Sequence, residues 1–161
     1  MAMKINPALI GKAGELLVAA ELMRRGIDVA YPASDVGVDL LAYRLDPKQT
    51  VAGKVVPIQV KARSASGYNF QRSWFDRCPG VVLVQVWHVE TAPEFYVLES
   101  LTRVEEALGI THSASVSWKI NGGYSVTVAG DDAYERMQAH RDKWERVIRQ
   151  LDASTGETVQ S

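Results

Sequence analysis

The chain has 161 residues, 47% of them hydrophobic and 23% charged, with a formal net charge of −1. That is the length and composition of one globular domain able to bury a core. No apolar run is long enough to span a bilayer, and the balanced charge argues against a protein that grips nucleic acid by bulk positive charge alone. Cys78 is the single cysteine, so no internal disulfide can form, which fits a reducing compartment. No Cys/His spacing suggests zinc. The opening Met1-Ala2-Met3-Lys4 lacks the form of a secretory signal, and a cytoplasmic location is expected.

Asn6-Pro7 is a helix start, with Asn as N-cap and Pro at the first helical position. The helix is expected to run to about Arg25, with Gly26 closing it. Gly11 and Gly14 each weaken it by about 1 kcal/mol relative to Ala, which points to a close approach by a neighbouring backbone or a ligand. At about 100° per residue, Leu16, Ala19, Ala20, Leu22 and Met23 share one arc, and Glu21, Arg24 and Arg25 the other. Glu15 falls inside the apolar arc, where a carboxylate is costly unless paired, hydrogen-bonded or bound to a metal; alternatively it lies near enough to the helix start to reach water.

Residues 27–31 read as a short strand and 32–37 as a turn. Asp35 in that turn is either a turn residue or an assistant to a nearby metal. Residues 37–43 and 55–62 read as strands joined by a polar connection through Asp46-Pro47-Lys48-Gln49-Thr50. Asp39 enters the first. Gln59 and Lys61, two apart on the second, leave the same face, while Ile58 and Val60 point to the other. Taken alone, such a strand is equally an ordinary one with a wet face. A short helix is expected over residues 70–77, anchored by Trp74 and Phe75.

Residues 81–87 form the most apolar run, a central strand covered on both faces, and 94–98 a further strand. His88 and Glu90 follow the central strand, as exposed strand-end residues or, less simply, metal ligands. Leu101, Val104 and Leu108 define a short helix ended by Gly109. Residues 115–120 and 124–128, joined by Asn121-Gly122-Gly123, are expected as a β-hairpin. Asp131-Asp132 then caps a last helix to about Leu151, whose stripe of Tyr134, Met137, Trp144, Ile148 and Leu151 packs on the domain or, alternatively, makes a homodimer contact. One domain over residues 1–151 and a flexible tail over 152–161 are expected.

The ordered set Gly11-Lys12-Ala13-Gly14-Glu15, Gly26-Ile27-Asp28-Val29, Ser34-Asp35-Val36-Gly37-Val38-Asp39 and Ile58-Gln59-Val60-Lys61 resembles the PD-(D/E)XK nuclease superfamily, which includes Holliday junction resolvases. The resemblance covers about the first two thirds of the chain. It implies an α/β restriction-endonuclease-like core, a mixed central β-sheet flanked by helices, here with an added C-terminal hairpin and helix. It also implies a metal-dependent endonuclease that hydrolyses DNA. Asp39, Gln59 and Glu15 would hold Mg²⁺ or Mn²⁺, and Lys61 would complete the catalytic set. One position departs from the pattern: the acid before x-Lys is Gln59, as in some homing endonucleases of the superfamily. Its neutral carbonyl is a poorer ligand for a hard cation than a carboxylate. The alternative is therefore a catalytically inactive nuclease-fold protein that binds nucleic acid or serves in an assembly. Lys12, Arg63, Arg72 and Arg77 are the candidate contacts to DNA phosphates, or simply parts of a solvated surface.

Overall fold

The structure, a computed structural model, describes residues 6–34, 37–45, 53–126 and 131–153. Asp35, the connection at residues 46–50, the end of the expected second hairpin strand at 127–128 and most of the expected tail, 154–161, lie outside the described residues.

Helix α1 spans Pro7–Met23, and the Asn6 side chain accepts from the Ala8 amide at its start. Gly26 takes φ +71°, the left-handed turn that ends the helix. Strands β1 (Asp28–Ala30), β2 (Leu40–Tyr43) and β3 (Val56–Ala62) follow as an antiparallel meander. Leu40 stands opposite Ile58 and Ala42 opposite Val56, so the hairpin read from sequence is present.

Strand β5 (Val82–Trp87) lies parallel to β3, with Gln59 opposite Leu83 and Lys61 opposite Gln85. Every residue of β5 is buried. β6 (Glu94–Leu98) closes a five-stranded mixed sheet of order β1-β2-β3-β5-β6. β3 is thus the middle strand, and β5 is an interior strand beside it.

The sheet separates two apolar clusters. Val60, Val84, Val86 and Val97 meet Val18 and Leu22 of α1 together with Trp144 and Val147. On the other face Leu83, Trp87, Tyr96 and Leu98 meet Tyr68, Phe70, Trp74, Val104, Trp118 and Met137. At its closest point α1 touches β3 through Gly14, where an added Cβ would stand 2.3 Å from the Ala62 Cβ. Of the two helix glycines, only this one marks a close approach, since a Cβ at Gly11 would meet nothing within 4 Å.

Four expectations are corrected. The helix expected over residues 70–77 begins at Arg72: α2 spans Arg72–Arg77, and Tyr68–Gln71 is strand β4. The expected hairpin at 115–128 is not one. Residues Val116–Lys119 form the short helix α4, capped by the Ser115 hydroxyl accepting from the Trp118 amide. Strand β7 (Gly123–Val126) pairs instead with β4, Phe70 opposite Tyr124. Helix α3 (Leu101–Ser113) breaks at Gly109, φ +75°, as expected, but then continues for another turn.

The last expected helix is two, α5 (Asp131–Gln138) and α6 (Glu145–Asp152). Between them Asp142 adopts φ +52°, and the His140 carbonyl accepts from the Val97 amide, so the chain leaves the helix to join the edge of β6. Met137 packs on the second cluster, while Trp144, Ile148 and Leu151 pack on the first.

That break holds a buried polar knot. Arg146, 8% exposed, donates Nη1 to the Val97 carbonyl (2.6 Å) and to His140 Nδ1 (2.9 Å), and its Nε lies 3.3 Å from Glu99 Oε2. Because the guanidinium can only donate, Nδ1 of His140 must accept, which selects the neutral imidazole. Burial first, and then the Arg146 charge, lowers the His140 pKa from 6.5 to about 4. Between those values the unfolded chain binds the extra proton. Stability from this site is therefore complete above about pH 6.5 and is lost as the pH falls toward 4, by about 3 kcal/mol at most. Urea titrations at pH 7.5 and 4.5 should show a smaller acid loss in His140→Gln than in the parent; an equal loss would remove His140 as its source.

Candidate active site

Asp39 sits one residue before β2, and its amide donates to the Ile58 carbonyl at 2.9 Å, extending the β2–β3 ladder. Its carboxylate turns back across the ladder. Oδ2 accepts from the Val60 amide at 2.6 Å and from Gln59 Nε2 at 2.5 Å. A carboxylate only accepts, so the Gln59 NH₂ must face it and the amide oxygen must point elsewhere. Gln59 is 2% exposed, and its Oε1 has no hydrogen-bond partner among the described residues. A buried carbonyl left in that state costs about 1–3 kcal/mol. Gly37, at φ +82°, flanks it: a Cβ there would lie 3.6 Å from Oε1.

Glu15 and Asp39 share the wall of a cleft of about 200 Å³ with Lys12, Tyr31, Ser34 and Val38. Glu15 is 23% exposed and accepts from Lys12 Nζ at 2.6 Å. The Lys12 ammonium also lies 4.6 Å above the Tyr31 ring. The hydrogen bond to Glu15 raises its pKa; desolvation opposes this, and the Glu15, Tyr31 and Asp39 charges add to the rise.

Lys61 leaves β3 on the same face as Gln59, and its Nζ lies 5.1 Å above the Trp74 ring of α2. It is not among the walls of the Glu15–Asp39 cleft. The structure thus joins Asp39 to Gln59 directly and to Glu15 across the cleft, and it places Lys61 beside α2.

The four candidate phosphate contacts are spread out. Lys12 is in the cleft. Arg63 donates to the Val126 carbonyl at 2.9 Å and borders a hollow beside the start of α1. Arg72 and Arg77 lie on α2. Tyr31 and Gly37 were not singled out from sequence as site residues; an aromatic followed by Pro at a strand end, and a Gly two residues before the strand acid, are the signals that mark them. Among the described residues no group of three or more His, Cys, Asp and Glu could hold a metal ion, and His88 and Glu90 therefore form no such site.

A hard divalent cation takes oxygen ligands. Glu15 and Asp39 bring two carboxylates to the cleft; the Gln59 carbonyl, bonded through its amide to Asp39 but not itself a cleft wall, has no donor among the described residues, and this all-oxygen set is what fits a cation.

A mixed sheet whose middle strand carries the amide, whose neighbour begins at the acid and whose covering helix brings a second acid is a nuclease-like α/β fold. No known protein family matches the sequence, nor does any curated protein. Among solved structures the chain is similar to a bacterial homing endonuclease, I-Ssp6803I, with a TM-score of 0.51 and 17% identity over 93% of this chain and 96% of that one. At that identity the likeness is one of fold. Among the described residues no helix is long and apolar enough to cross a membrane.

Proposed function

We propose that this protein is a metal-dependent endonuclease of the PD-(D/E)XK type, hydrolysing phosphodiester bonds in DNA. The observation that carries the reading is the buried Gln59 Oε1, without a donor among the described residues, beside an Asp39 that lines one open cleft with Glu15. The endonuclease named in the comparison has the same fold, which supports the class of reaction but not a particular residue.

In this reading Asp39, Gln59 and Glu15 hold Mg²⁺ or Mn²⁺. The bound ion would supply Lewis-acid polarisation of the phosphate and a lowered pKa for an attacking water. The protein's own contribution is positional. Asp39 is locked by the Val60 amide and the Gln59 NH₂, so the direction of its carboxylate is fixed. The Gln59 carbonyl is turned away from Asp39 because its nitrogen is engaged. Lys61, on the same strand face, is the cation available to charge developing on the phosphate. Lys12, which pairs with Glu15, would be the ammonium in the cleft placed for a phosphate oxygen if a bound cation neutralised that carboxylate.

A second reading, a nuclease-fold protein that binds nucleic acid without cutting it, is favoured by one observation. The Lys61 ammonium rests over Trp74 and not in the cleft with Glu15 and Asp39. One experiment separates the two. Linear, supercoiled and branched DNA are each incubated with purified protein in Mg²⁺, Mn²⁺ or EDTA. Cleavage is expected with metal alone, and Asp39→Ala and Lys61→Ala are each expected to slow it by about 10²-fold or more. Cutting that persists in both variants defeats the assignment of roles. Binding without cutting under every metal condition establishes the second reading.

A further inference from the structure

We propose that the groove between α2 and α4 is a second contact site for the nucleic acid, a track for its sugar–phosphate backbone outside the Asp39–Gln59 cleft. The proposal rests on the nuclease reading.

The groove has a volume of about 410 Å³, and its walls include Gln71, Arg72, Ser73, Asp76, Lys119 and Asn121. It is built, not incidental. The Arg72 amide donates to the Gly122 carbonyl at 2.8 Å, tying the start of α2 to the turn after α4. Gly122 holds φ +70° to make that turn. The Arg72 guanidinium lies 5.8 Å above the ring of Trp118, which is fully buried and anchors α4.

Arg77 joins the same rim. It donates Nε to the Ser73 carbonyl (3.1 Å) and Nη2 to the Ser73 hydroxyl (3.4 Å). The groove walls thus carry two cations, Arg72 and Lys119, and one acid, Asp76, with Arg77 a third cation bonded to the wall residue Ser73.

A scatter of solvated arginines would look different. Elsewhere on this surface Arg24, Arg25, Arg44, Arg103 and Arg141 each sit in an ion pair with a carboxylate, while Arg63 and Arg136 donate to main-chain carbonyls; what sets the groove apart is that its unpaired cations are gathered on one rim. Among the described residues no carboxylate pairs with Arg72, Arg77 or Lys119, although Asp76 is on the same helix. The other walls offer two side-chain amides and a hydroxyl, neutral groups that hydrogen-bond phosphate oxygens. Such a surface positions a backbone and reads no sequence. The groove and Lys61 share one helix, because α2 carries Trp74, over which the Lys61 ammonium lies.

The test is fluorescence anisotropy of a labelled DNA duplex in EDTA across a range of salt concentrations. Each phosphate contact contributes a slope of about −0.9 to log K against log salt. Arg77→Ala with Lys119→Ala should flatten that slope by about 2 units and weaken binding by about tenfold or more at moderate salt. Asp76→Asn should act oppositely and tighten binding, an outcome that misfolding cannot produce. Wild-type binding with the double variant and Asp76→Asn both indistinguishable from it overturns the groove and leaves the nuclease reading standing. A wild-type protein that binds no DNA overturns both.

Discussion

Gln59→Glu is expected to turn this into a protein whose stability depends on divalent metal. The substitution replaces the N–H donor, 2.5 Å from Asp39 Oδ2, by a second carboxylate oxygen at a site that is 2% exposed. Two carboxylates at that separation cannot both stay ionised, and the pair's upper pKa rises. In EDTA at pH 8 the variant should lose about 2–4 kcal/mol, because a donor is gone and a buried repulsion replaces it.

The sign with pH follows. A raised pKa in the folded state stabilises at low pH and is lost as the pH rises, so the deficit against wild type should shrink on acidification. A divalent cation at 100 times its Kd would return about 2.7 kcal/mol, and more to the variant than to the wild type, whose amide is a weaker ligand. Thermal melts in EDTA and in millimolar Mg²⁺, at pH 5.5 and 8, read all of this. A variant as stable as its parent in EDTA, or one indifferent to Mg²⁺, would mean that the Asp39–Gln59 pair is a structural hydrogen bond alone.

Gly14→Ala is expected to destabilise where propensity alone would stabilise. Within a helix, Ala is better than Gly by about 1 kcal/mol. Here the new Cβ would meet the Ala62 Cβ at 2.3 Å, with the Ala62 Cα at 3.6 Å and Val60 Cγ1 at 3.7 Å. No rotamer relieves a Cβ contact, so α1 and β3 must part. Overpacking of that kind costs about 1–3 kcal/mol, occasionally more, and at this chain length a loss of 2–3 kcal/mol corresponds to a fall in Tm of roughly 4–12 °C.

Two controls fix the cause. Ala62→Gly in the same chain should recover most of the loss, giving a coupling of about 1–3 kcal/mol in the double-mutant cycle. Gly11→Ala, which meets open space, should stabilise by about 0.5–1 kcal/mol. If Gly14→Ala melts no lower than Gly11→Ala, the close approach of α1 to β3 is wrong. Because Glu15 is the next residue, any cleavage activity should fall together with the stability.

The parts of the fold that sequence made legible are those held by local signals. Asn6-Pro7 and Gly26 frame α1, and the apolar runs on either side of residues 46–50 mark β2 and β3. Residues 115–120 misled for a physical reason. Val116, Trp118 and Ile120 alternate as a half-buried strand would, yet only Trp118 is buried; Val116 is 70% and Ile120 77% exposed. A four-residue helix capped by Ser115 presents one large side chain inward and imitates the strand period. The β4–β7 pairing joins residues more than fifty apart in the chain, and nothing local announces such a partner.

The single helix expected from residue 131 to 151 is interrupted by bonds to β6, again a contact distant in sequence. At the site, helical period misjudged α1: Leu16, Ala20 and Met23 of the expected apolar arc are exposed, and the face on the sheet is Gly14, Val18, Ala19 and Leu22, because the close approach at Gly14 sets how the helix lies. The common face of Gln59 and Lys61 followed from strand period. The hydrogen bond from Gln59 to Asp39 and the drawing of Lys61 over Trp74 depend on what crosses the sheet, which periodicity does not encode.

The parallel relation of β3 and β5 has a consequence for how such a protein diversifies. Two parallel neighbours cannot be joined by a tight turn; the chain must travel back over the sheet before the second begins. Here that return segment, residues 63–81, carries β4 and α2 and sets what stands above Lys61. Its exposed positions can be exchanged while Tyr68, Phe70 and Trp74, which pack on the sheet, keep the strand register beneath, and with it the clasp between Asp39 and Gln59, in place. If the nuclease reading holds, a graft into the exposed part of this bridge is therefore the place to recast which shape of polynucleotide is accepted.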